Sequence, residues 1–342
     1  MTATTPLASP PPSPTAHLLE VEDLHVEFRT RRGTVNAVNG VSYTLDERET
    51  LAILGESGSG KSVSAQAVMG IIDSPPGFVT SGSIRYRGTD LLTLPERDLE
   101  QVRGAKIAMI FQDALSALNP VFRVGWQLAE MYRVHTGTSK GEAREKAIEL
   151  MDRVRIPSAR ERIDSYPHEF SGGMRQRVMI AMALALDPDI IIADEPTTAL
   201  DVTVQAQIMQ LLKDLQDESG LGLILITHDL GVVADVADRL AVMYAGKLVE
   251  TAEVHELYRR PAHPYTKGLM ASIPRTDQKG TRLSPIVGSP PSLMRIPPGC
   301  SFHPRCSYRR DNCKTDVPPL YPVGGGRASA CHYAEEVMAD GR

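Results

Sequence analysis

The sequence has no excess of positive charge and no long hydrophobic run. Its 37 Lys and Arg residues are outnumbered by 42 Asp and Glu residues, so the net charge is −5 at pH 7. A chain without a basic field is not expected to bind nucleic acid. The longest uninterrupted apolar run covers residues 178–186, which is far short of the ~20 residues that span a bilayer. Any membrane span would have to come from another subunit.

The first residues also lack the basic and apolar segments of a secretory signal. Residues 1–16 are instead Pro, Ser, Thr and Ala with almost no large apolar residues, a composition typical of a disordered tail. We therefore expect a cytosolic chain whose folded part begins at about residue 17.

Beyond this tail, short apolar runs alternate with helix-like segments. Apolar runs typical of buried strands occur at 51–54, 190–193 and 223–227, and residues 113–186 have a mostly helical pattern. This order predicts an α/β core with a parallel sheet. After about residue 269, Pro and Gly become frequent and all four cysteines occur, which predicts a second, small module.

The apolar run at 51–54 leads directly into a glycine-rich loop and then a helix-compatible segment. The loop has the pattern G-x-x-x-x-G-K-S in the strand–loop–helix context that binds phosphates. Its glycines let backbone N–H groups approach an anion without Cβ clashes. Lys61 would reach the terminal phosphates, and the Ser62 hydroxyl would bind Mg²⁺. The predicted phosphate-binding residues are Gly55, Glu56, Ser57, Gly58, Ser59, Gly60, Lys61 and Ser62.

Two further apolar runs end in residues that suit nucleotide hydrolysis. The run 190–193 is followed by Asp194 and Glu195, which point in different directions because they are neighbours on a strand. One carboxylate can organise Mg²⁺, and the other can orient or deprotonate an attacking water. The run 223–227 is followed by His228, although a single histidine after a strand is more often a surface residue.

A second helix start with phosphate-binding character lies at residues 170–177, Phe-Ser-Gly-Gly-Met-Arg-Gln-Arg. Ser171, Gly172 and Gly173 would form a helix N-terminus with free N–H donors and a hydroxyl. A single nucleotide does not need two such helix starts, and nothing else in the chain explains the second.

Together these motifs resemble the ATP-binding cassette (ABC) ATPases, with Phe170 and Met174 as mild departures from the commonest signature sequence. The resemblance implies that ATP and Mg²⁺ are bound and that two cassettes dimerise head to tail, so that each signature closes on the partner's ATP. The partner would be a second ABC ATPase subunit, more often a paralogue than a copy of this chain. By the same resemblance, the Mg²⁺ ligands would be Ser62, Gln112 and Asp194, and the catalytic residues would be Glu195, His228 and Gln112. The ring of Phe28 would stack on adenine. Asp201 would lie in a loop that crosses to the partner subunit.

The four cysteines are Cys300, Cys306, Cys313 and Cys331. Disulfides are not expected in a cytosolic ATPase, and four cysteines in a segment with little core of its own favour a metal centre. Structural zinc usually has closely spaced cysteine pairs, which this spacing lacks. The wider spacing suits a [4Fe–4S] cluster better, with Zn²⁺ as the alternative.

Three motifs resemble the C-terminal extension of oligopeptide and dipeptide importer ATPases, some of which carry an iron–sulfur cluster on these cysteines. They are His-Pro-Tyr-Thr at 263–266, Gly-Ser-Pro-Pro at 288–291 and Gly-Cys-Ser-Phe-His-Pro-Arg-Cys at 299–306. The resemblance implies an ABC-type P-loop ATPase core with antiparallel β and helical subdomains at 17–268, followed by a small irregular cysteine-rich extension at 269–342.

This resemblance also implies a role and partners. The chain would be a motor at the cytoplasmic face of the membrane, working with two transmembrane permease subunits and an extracytoplasmic solute-binding protein to import di- and oligopeptides. Import of another small solute, such as nickel or glutathione, stays open. A role as a non-transport ABC ATPase is less favoured, because the chain has one cassette and no long heptad run.

Overall fold

The structure is a computed structural model that describes residues 17–198, 200–272 and 286–340. The predicted tail at 1–16 lies outside the described residues, as do Ala199 and the segment 273–285 of the predicted extension.

The described residues form two sheets and a set of helices around them. The strands are β1 Leu19–Thr30, β2 Gly33–Leu45, β3 Thr50–Leu54, β4 Gly77–Tyr86, β5 Thr89–Asp90, β6 Ile107–Ile110, β7 Ile190–Asp194, β8 Gly222–Thr227, β9 Arg239–Tyr244, β10 Lys247–Glu253, β11 Tyr321–Gly324 and β12 Arg327–Ser329. The helices are α1 Lys61–Met69, α2 Glu96–Val102, α3 Ala114–Ala117, α4 Val124–Thr136, α5 Lys140–Arg153, α6 Ala159–Arg162, α7 Gly172–Leu184, α8 Val202–Ser219, α9 Leu230–Val233, α10 Val254–Arg259, α11 Pro264–Ala271 and α12 Ala334–Ala339.

The larger sheet has the strand order β11-β12-β10-β9-β3-β8-β7-β6. The neighbours from β9 to β6 pair in parallel, as the sequence predicted. Strands β3, β7 and β8 are buried along their whole length, which is why their sequences are continuous apolar runs. Because parallel strands end at the same edge, the segments that follow β3, β8, β7 and β6 meet there.

The smaller sheet is antiparallel, with the order β2-β1-β4-β5. Its buried side chains, such as Leu24 and Val41, share a core with one face of the larger sheet, including Ile53 and Ile192. The antiparallel subdomain that the resemblance implied is therefore present, and it covers that face of the parallel strands.

Helices α3 to α7 lie between Ala114 and Leu184. The last of them, α7, contains most of the longest apolar run, and its residues Val178, Ile180 and Leu184 are all buried in the main core. Within the described ranges, no helix combines the length and the apolar character needed to cross a membrane.

The described part of the C-terminal extension continues the larger sheet. β12 pairs with β10, and β11 pairs with β12. Phe302 is 3% exposed in the main core, where its ring packs against Tyr244 and Tyr265 at centroid distances of 5.2 and 5.4 Å. The expectation of a small irregular module did not include this continuity, because β11 and β12 have only four and three residues, too few for a periodic pattern.

Candidate active site

The glycine-rich loop between β3 and α1 encloses the ammonium group of Lys61. Gly60 has φ of 105°, and a Cβ at this position would lie 2.3 Å from the carbonyl oxygen of Ala37, so the close approach requires glycine. Lys61 Nζ donates to the carbonyl oxygens of Gly55 and Glu56 at 2.9 and 3.1 Å. Burial lowers the pKa of Lys61, an effect that nearby carboxylates oppose. An anion bound in the loop would stabilise the charged form of this lysine.

Ser62 and Asp194, two of the three residues predicted to bind Mg²⁺, are in direct contact, whereas the third, Gln112, donates to Glu195. The Ser62 hydroxyl donates to Asp194 Oδ1 at 2.9 Å, and Asp194 is 5% exposed. Burial raises the pKa of Asp194, while the bond from Ser62 lowers it. A hydroxyl and a carboxylate side by side are the hard oxygen ligands that Mg²⁺ prefers, so the two residues fit the ion.

Glu195 is the point where three side chains converge. Gln112 Nε2 and the Thr198 hydroxyl donate to Glu195 Oε2 at 3.1 and 2.9 Å, and His228 Nδ1 lies 3.2 Å from Oε1. Glu195 also has φ of 47°, a left-handed backbone conformation whose strain energy is ~1–2 kcal/mol for a residue other than glycine. Its amide donates to the carbonyl oxygen of Ile226 at 2.8 Å, which holds the turn in place.

Most of these groups line one cavity of about 620 Å³ at the carboxyl edge of the larger sheet. The volume is in the range of small-molecule sites. The predicted residues that line it are Gly55, Glu56, Ser57, Gly58, Gly60, Lys61, Ser62, Gln112, Glu195 and His228. Asp194 and Ser59 do not line it, and Asp194 is linked to it through Ser62.

The signature residues lie outside this cavity. Ser171 caps α7, with its hydroxyl accepting a bond from the Met174 amide at 3.3 Å, so the helix start is as the sequence indicated. Gly172 and Gly173 are absent from the cavity lining. A Cβ on Gly172 would lie 3.6 Å from Leu200, just before α8, and a Cβ on Gly173 would lie 2.7 Å from Val204 in the first turn of α8.

Asp201 is at the same place, because it caps α8 by accepting from the Val204 amide at 2.9 Å. The structure thus brings Asp201 and the signature together on a surface distinct from the cavity lining. Phe28 also lies away from that lining, half-buried in β1 and packed against the core under the smaller sheet. Its stacking on adenine stays a prediction.

Three residues of the site were not predicted from the sequence. Thr198 donates a hydrogen bond to Glu195 from three positions further along the chain, so a polar residue at that spacing could have indicated this contact. The Tyr265 hydroxyl accepts from the Glu56 amide at 2.8 Å, and Arg305 donates to both carboxylate oxygens of Glu56 at 2.6 and 2.9 Å. These two contacts join distant parts of the chain and carry no local signal.

All four cysteines of the extension line one small enclosed cavity. They are free thiols, and burial raises the pKa of Cys306 to about 11 and that of Cys331 to about 12, with the neighbouring cysteines adding to both shifts. In the part of the chain that the structure describes, no group of three or more His, Cys, Asp or Glu residues is arranged to hold a metal ion, so the metal centre predicted on the cysteines stays a prediction.

Two parts of the chain match models of known protein families. Residues 38–198 match the ABC transporter family model, and residues 249–313 match that of the oligopeptide/dipeptide transporter C-terminal region. A Brucella abortus protein named for peptide import and ATP binding is 54% identical over 317 residues, which cover 93% of this chain and 95% of that protein. The oligopeptide transport ATP-binding protein OppD of Salmonella typhimurium is 51% identical over 331 residues, covering 97% of this chain and 98% of that protein.

Solved structures extend the comparison to the fold. A dimeric ATP-binding cassette in a post-hydrolysis state, bound to ADP and phosphate, is similar with a TM-score of 0.62 and 27% identity. The alignment covers 69% of this chain and 98% of that cassette. The near-full-length identity above 50% and the geometry of the phosphate loop and its carboxylates lead to one conclusion: this chain belongs to the ABC transporter family, among the ATP-hydrolysing subunits that carry the oligopeptide/dipeptide transporter C-terminal region.

Proposed function

We propose that the chain is the ATP-hydrolysing motor of an importer for di- and oligopeptides. The observation that carries this proposal is the identity of 51–54% over nearly the whole length with proteins named for peptide import or oligopeptide transport. A solute-binding protein and two permease subunits would select and pass the peptide. This chain would work at the cytoplasmic face of the membrane, held there by the permeases.

Glu195 would orient or deprotonate the water that attacks the γ-phosphate of ATP. Gln112 and Thr198 already hold its carboxylate, so its position is set before the nucleotide binds. The His228 side chain is 61% exposed at the cavity and would contact the γ-phosphate. Mg²⁺, held by Ser62 and Asp194, would neutralise negative charge on the β- and γ-phosphates.

The position of the signature supports a head-to-tail pair of cassettes. Ser171, Gly172 and Gly173 do not line the cavity that contains Lys61, so a second nucleotide is the simplest target for their N–H donors. Two of the similar solved structures are dimeric cassettes. We infer that the signature and Asp201 serve the ATP of a partner cassette, which we expect to be a paralogue.

An exposed apolar cluster follows Gln112 in the chain and suits contact with the permeases. Val121, Phe122 and Trp126 are 70%, 41% and 43% exposed, and the two rings stack at 4.3 Å between centroids. Large apolar side chains grouped at the surface mark sites of protein contact. We infer that this cluster receives the permease subunits.

We infer a [4Fe–4S] cluster on the four cysteines, with Zn²⁺ as the alternative, because their wide spacing lacks the close pairs that are usual in structural zinc sites. The described residues include no group of three or more His, Cys, Asp or Glu arranged to hold a metal ion, so the proposal rests on the spacing of the cysteines and on their shared cavity. Cys300, Cys306, Cys313 and Cys331, which share one cavity, would hold a cluster whose role is to staple the extension.

Metal analysis of protein purified without oxygen tests the cluster. We expect about four iron atoms and about four acid-labile sulfides per chain, both lost in a Cys306→Ser/Cys331→Ser double variant. Zinc in place of iron would refute the cluster.

Transport is tested in proteoliposomes that contain this chain, its permeases and its solute-binding protein. We expect ATP-dependent uptake of labelled dialanine, competed by unlabelled tripeptides and abolished by Glu195→Gln. Uptake of Ni²⁺ or glutathione without dialanine would replace the peptide assignment. Hydrolysis of ATP with no uptake of any of the three would favour a non-transport role.

A further inference from the structure

One arginine of the C-terminal extension forms an ion pair with a residue of the phosphate loop. Arg305 lies in the single turn His303–Arg305, directly before Cys306. Its Nη1 and Nη2 donate to the two carboxylate oxygens of Glu56 at 2.6 and 2.9 Å. The Arg305 side chain is 5% exposed and that of Glu56 is 27% exposed. A bidentate pair this well shielded from water is among the stronger polar contacts that a protein can make.

The guanidinium of Arg305 is fixed by other contacts as well. Nη1 lies 3.3 Å from the Tyr244 hydroxyl, and Nε donates to the Val287 carbonyl oxygen at 3.2 Å. The group also lies 5.8 and 5.9 Å from the ring centroids of Tyr244 and Phe302. These contacts come from both the sheet and the extension, so Arg305 is held in one position.

Glu56, the ion-pair partner of Arg305, also makes backbone hydrogen bonds that hold the loop. Its amide donates to the Tyr265 hydroxyl at 2.8 Å. Its carbonyl oxygen accepts from Lys61 Nζ at 3.1 Å and from the Ser59 amide at 3.2 Å. A shift of Glu56 would therefore disturb the arrangement around Lys61.

The charge of Glu56 is a second reason for the pair. Glu56 and Lys61 line the same cavity, so an uncompensated carboxylate at Glu56 would repel the phosphates of a bound nucleotide. Arg305 cancels this charge at hydrogen-bonding distance.

We propose that Arg305 is a positioning residue for ATP binding, which neutralises Glu56 and fixes the phosphate loop. The ATP site then depends on the folded cysteine-containing extension, since Arg305 is part of it. This inference rests on ATP binding by the loop and is independent of the transported solute.

The test measures MgATP affinity and the rate of hydrolysis in the full-length chain. Arg305→Gln should weaken ATP binding on the order of tenfold, the loss expected for a hydrogen-bonded charged partner, and should change kcat far less than KM. The double variant Glu56→Gln/Arg305→Gln removes both charges and should recover much of the affinity. Arg305→Lys keeps the charge without the two-pronged contact and should bind with intermediate affinity.

Glu336→Gln is the matched control, because it breaks another two-oxygen pair in the same extension. Arg310 Nη2 lies 2.6 and 2.7 Å from the Glu336 carboxylate oxygens, and Arg310 would keep its place over the Tyr333 ring, 3.9 Å from the centroid. This variant should bind ATP like the wild type.

Two results would overturn the proposal while leaving the ATP site intact. One is wild-type affinity in Arg305→Gln, and the other is a double variant that binds as weakly as Arg305→Gln alone. Failure of the wild type itself to bind ATP would overturn the assignment of the site, and this proposal with it.

Discussion

Glu195 shows how the site is arranged at the scale of single residues. Its backbone has φ of 47°, and its carboxylate is held by Gln112 and Thr198 with His228 close by. Strained conformations of this kind persist when the surrounding structure fixes them, and they are common at functional sites. The carboxylate can therefore be replaced by an amide of the same shape with little change in architecture.

Glu195→Gln should keep ATP binding and lower hydrolysis by roughly 10²–10⁴-fold, the usual contribution of a general base. It should also trap the ATP-bound pair of cassettes. Phosphate release measures the first effect, and size-exclusion chromatography with ATP measures the second. Glu218→Gln, which alters a carboxylate of α8 that is 61% exposed, should leave both unchanged. Normal turnover in Glu195→Gln would remove Glu195 from its assigned role.

Asp194 should give the site a defined acid limit. Burial raises the pKa of Asp194, and the hydrogen bond from Ser62 opposes this rise. Mg²⁺ needs the ionised carboxylate, so Ser62→Ala should move the acid limb of MgATP binding to higher pH, because the charged form loses a donor. Ser62→Thr keeps the hydroxyl and should retain the wild-type limb. Titration of MgATP affinity from acid to neutral pH measures the shift, and identical limbs in Ser62→Ala and wild type would contradict it.

At the scale of elements, the N-terminus of α7 combines a structural cap with a predicted functional role. Ser171 caps α7 at 3.3 Å and Ser139 caps α5 at 3.4 Å, in both cases through the hydroxyl and the amide three residues ahead. Only Ser171 belongs to the signature. The two serines therefore separate loss of a cap from loss of a phosphate contact.

Ser171→Ala and Ser139→Ala should each lose about 1 kcal/mol of stability, the typical value of a serine cap. We expect only Ser171→Ala to lower ATP hydrolysis and ATP-dependent pairing with the partner cassette, while ATP binding to the chain's own cavity remains. Denaturant unfolding, nucleotide binding and phosphate release distinguish these effects. Equal loss of hydrolysis in both variants would speak against a shared site.

Glu250 makes the connection from β10 to α11 sensitive to pH. Its carboxylate accepts from the amides of Ala262 and His263 at 2.6 and 2.9 Å, and burial raises the pKa of Glu250 from 4.5 to about 7. Because the folded-state pKa is the higher one, the contribution to stability is complete below pH 4.5 and is lost as the pH rises through about 7. At ~1.4 kcal/mol per pKa unit, the change is on the order of 3 kcal/mol.

Glu250→Gln should remove this part of the pH dependence. Burial lowers the pKa of the neighbouring His263 to about 3, which gives a pH dependence of opposite sign, so the comparison must keep the sign. In urea unfolding at about pH 5.5 and about pH 8.5, the free energy of unfolding at the lower pH, relative to that at the higher pH, should be smaller in Glu250→Gln than in the wild type. Equal differences in the two proteins would exclude Glu250 as the titrating group.

How far an element could be predicted depends on its local pattern. β3, β7 and β8 are buried on both faces, so their continuous apolar runs were recognisable. β6 has four residues and β12 has three, which is too short for a pattern to be distinguished from chance. The signature predicted its own helix start, but the surface that this start faces is a property of the packing between α7 and α8.

At the scale of the whole molecule, the C-terminal extension is joined to the ATP site. β12 pairs with β10, Phe302 lies in the main core, and Arg305 grips Glu56. The sequence predicted the extension from its cysteines and motifs but could not predict these contacts. The pair of Arg305 and Glu56 joins residues separated by 249 positions.

Changes in the cysteine cavity should therefore reach the nucleotide. Cys313 is 8% exposed, and its carbonyl oxygen accepts from the Cys300 amide at 2.9 Å. Cys313→Ser should lower the thermal midpoint of unfolding and weaken ATP binding together, because the turn that carries Arg305 would loosen. Calorimetry and nucleotide titration measure the two effects, and a lower midpoint with unchanged ATP affinity would contradict the connection.

The order of the strands in the larger sheet sets the dimensions of the reaction site. β3, β8, β7 and β6 stand side by side, and the segments at their carboxyl ends carry the phosphate loop, His228, Glu195 and Gln112 in that sequence. Neighbouring strands are ~4.8 Å apart, so backbone hydrogen bonds set the spacing between the predicted catalytic groups. Substitutions in the helices or the extension can change the regulation of the site and its protein partners without changing this spacing. A cassette only 27% identical can share this fold, because backbone hydrogen bonds set the strand spacing independently of the particular side chains.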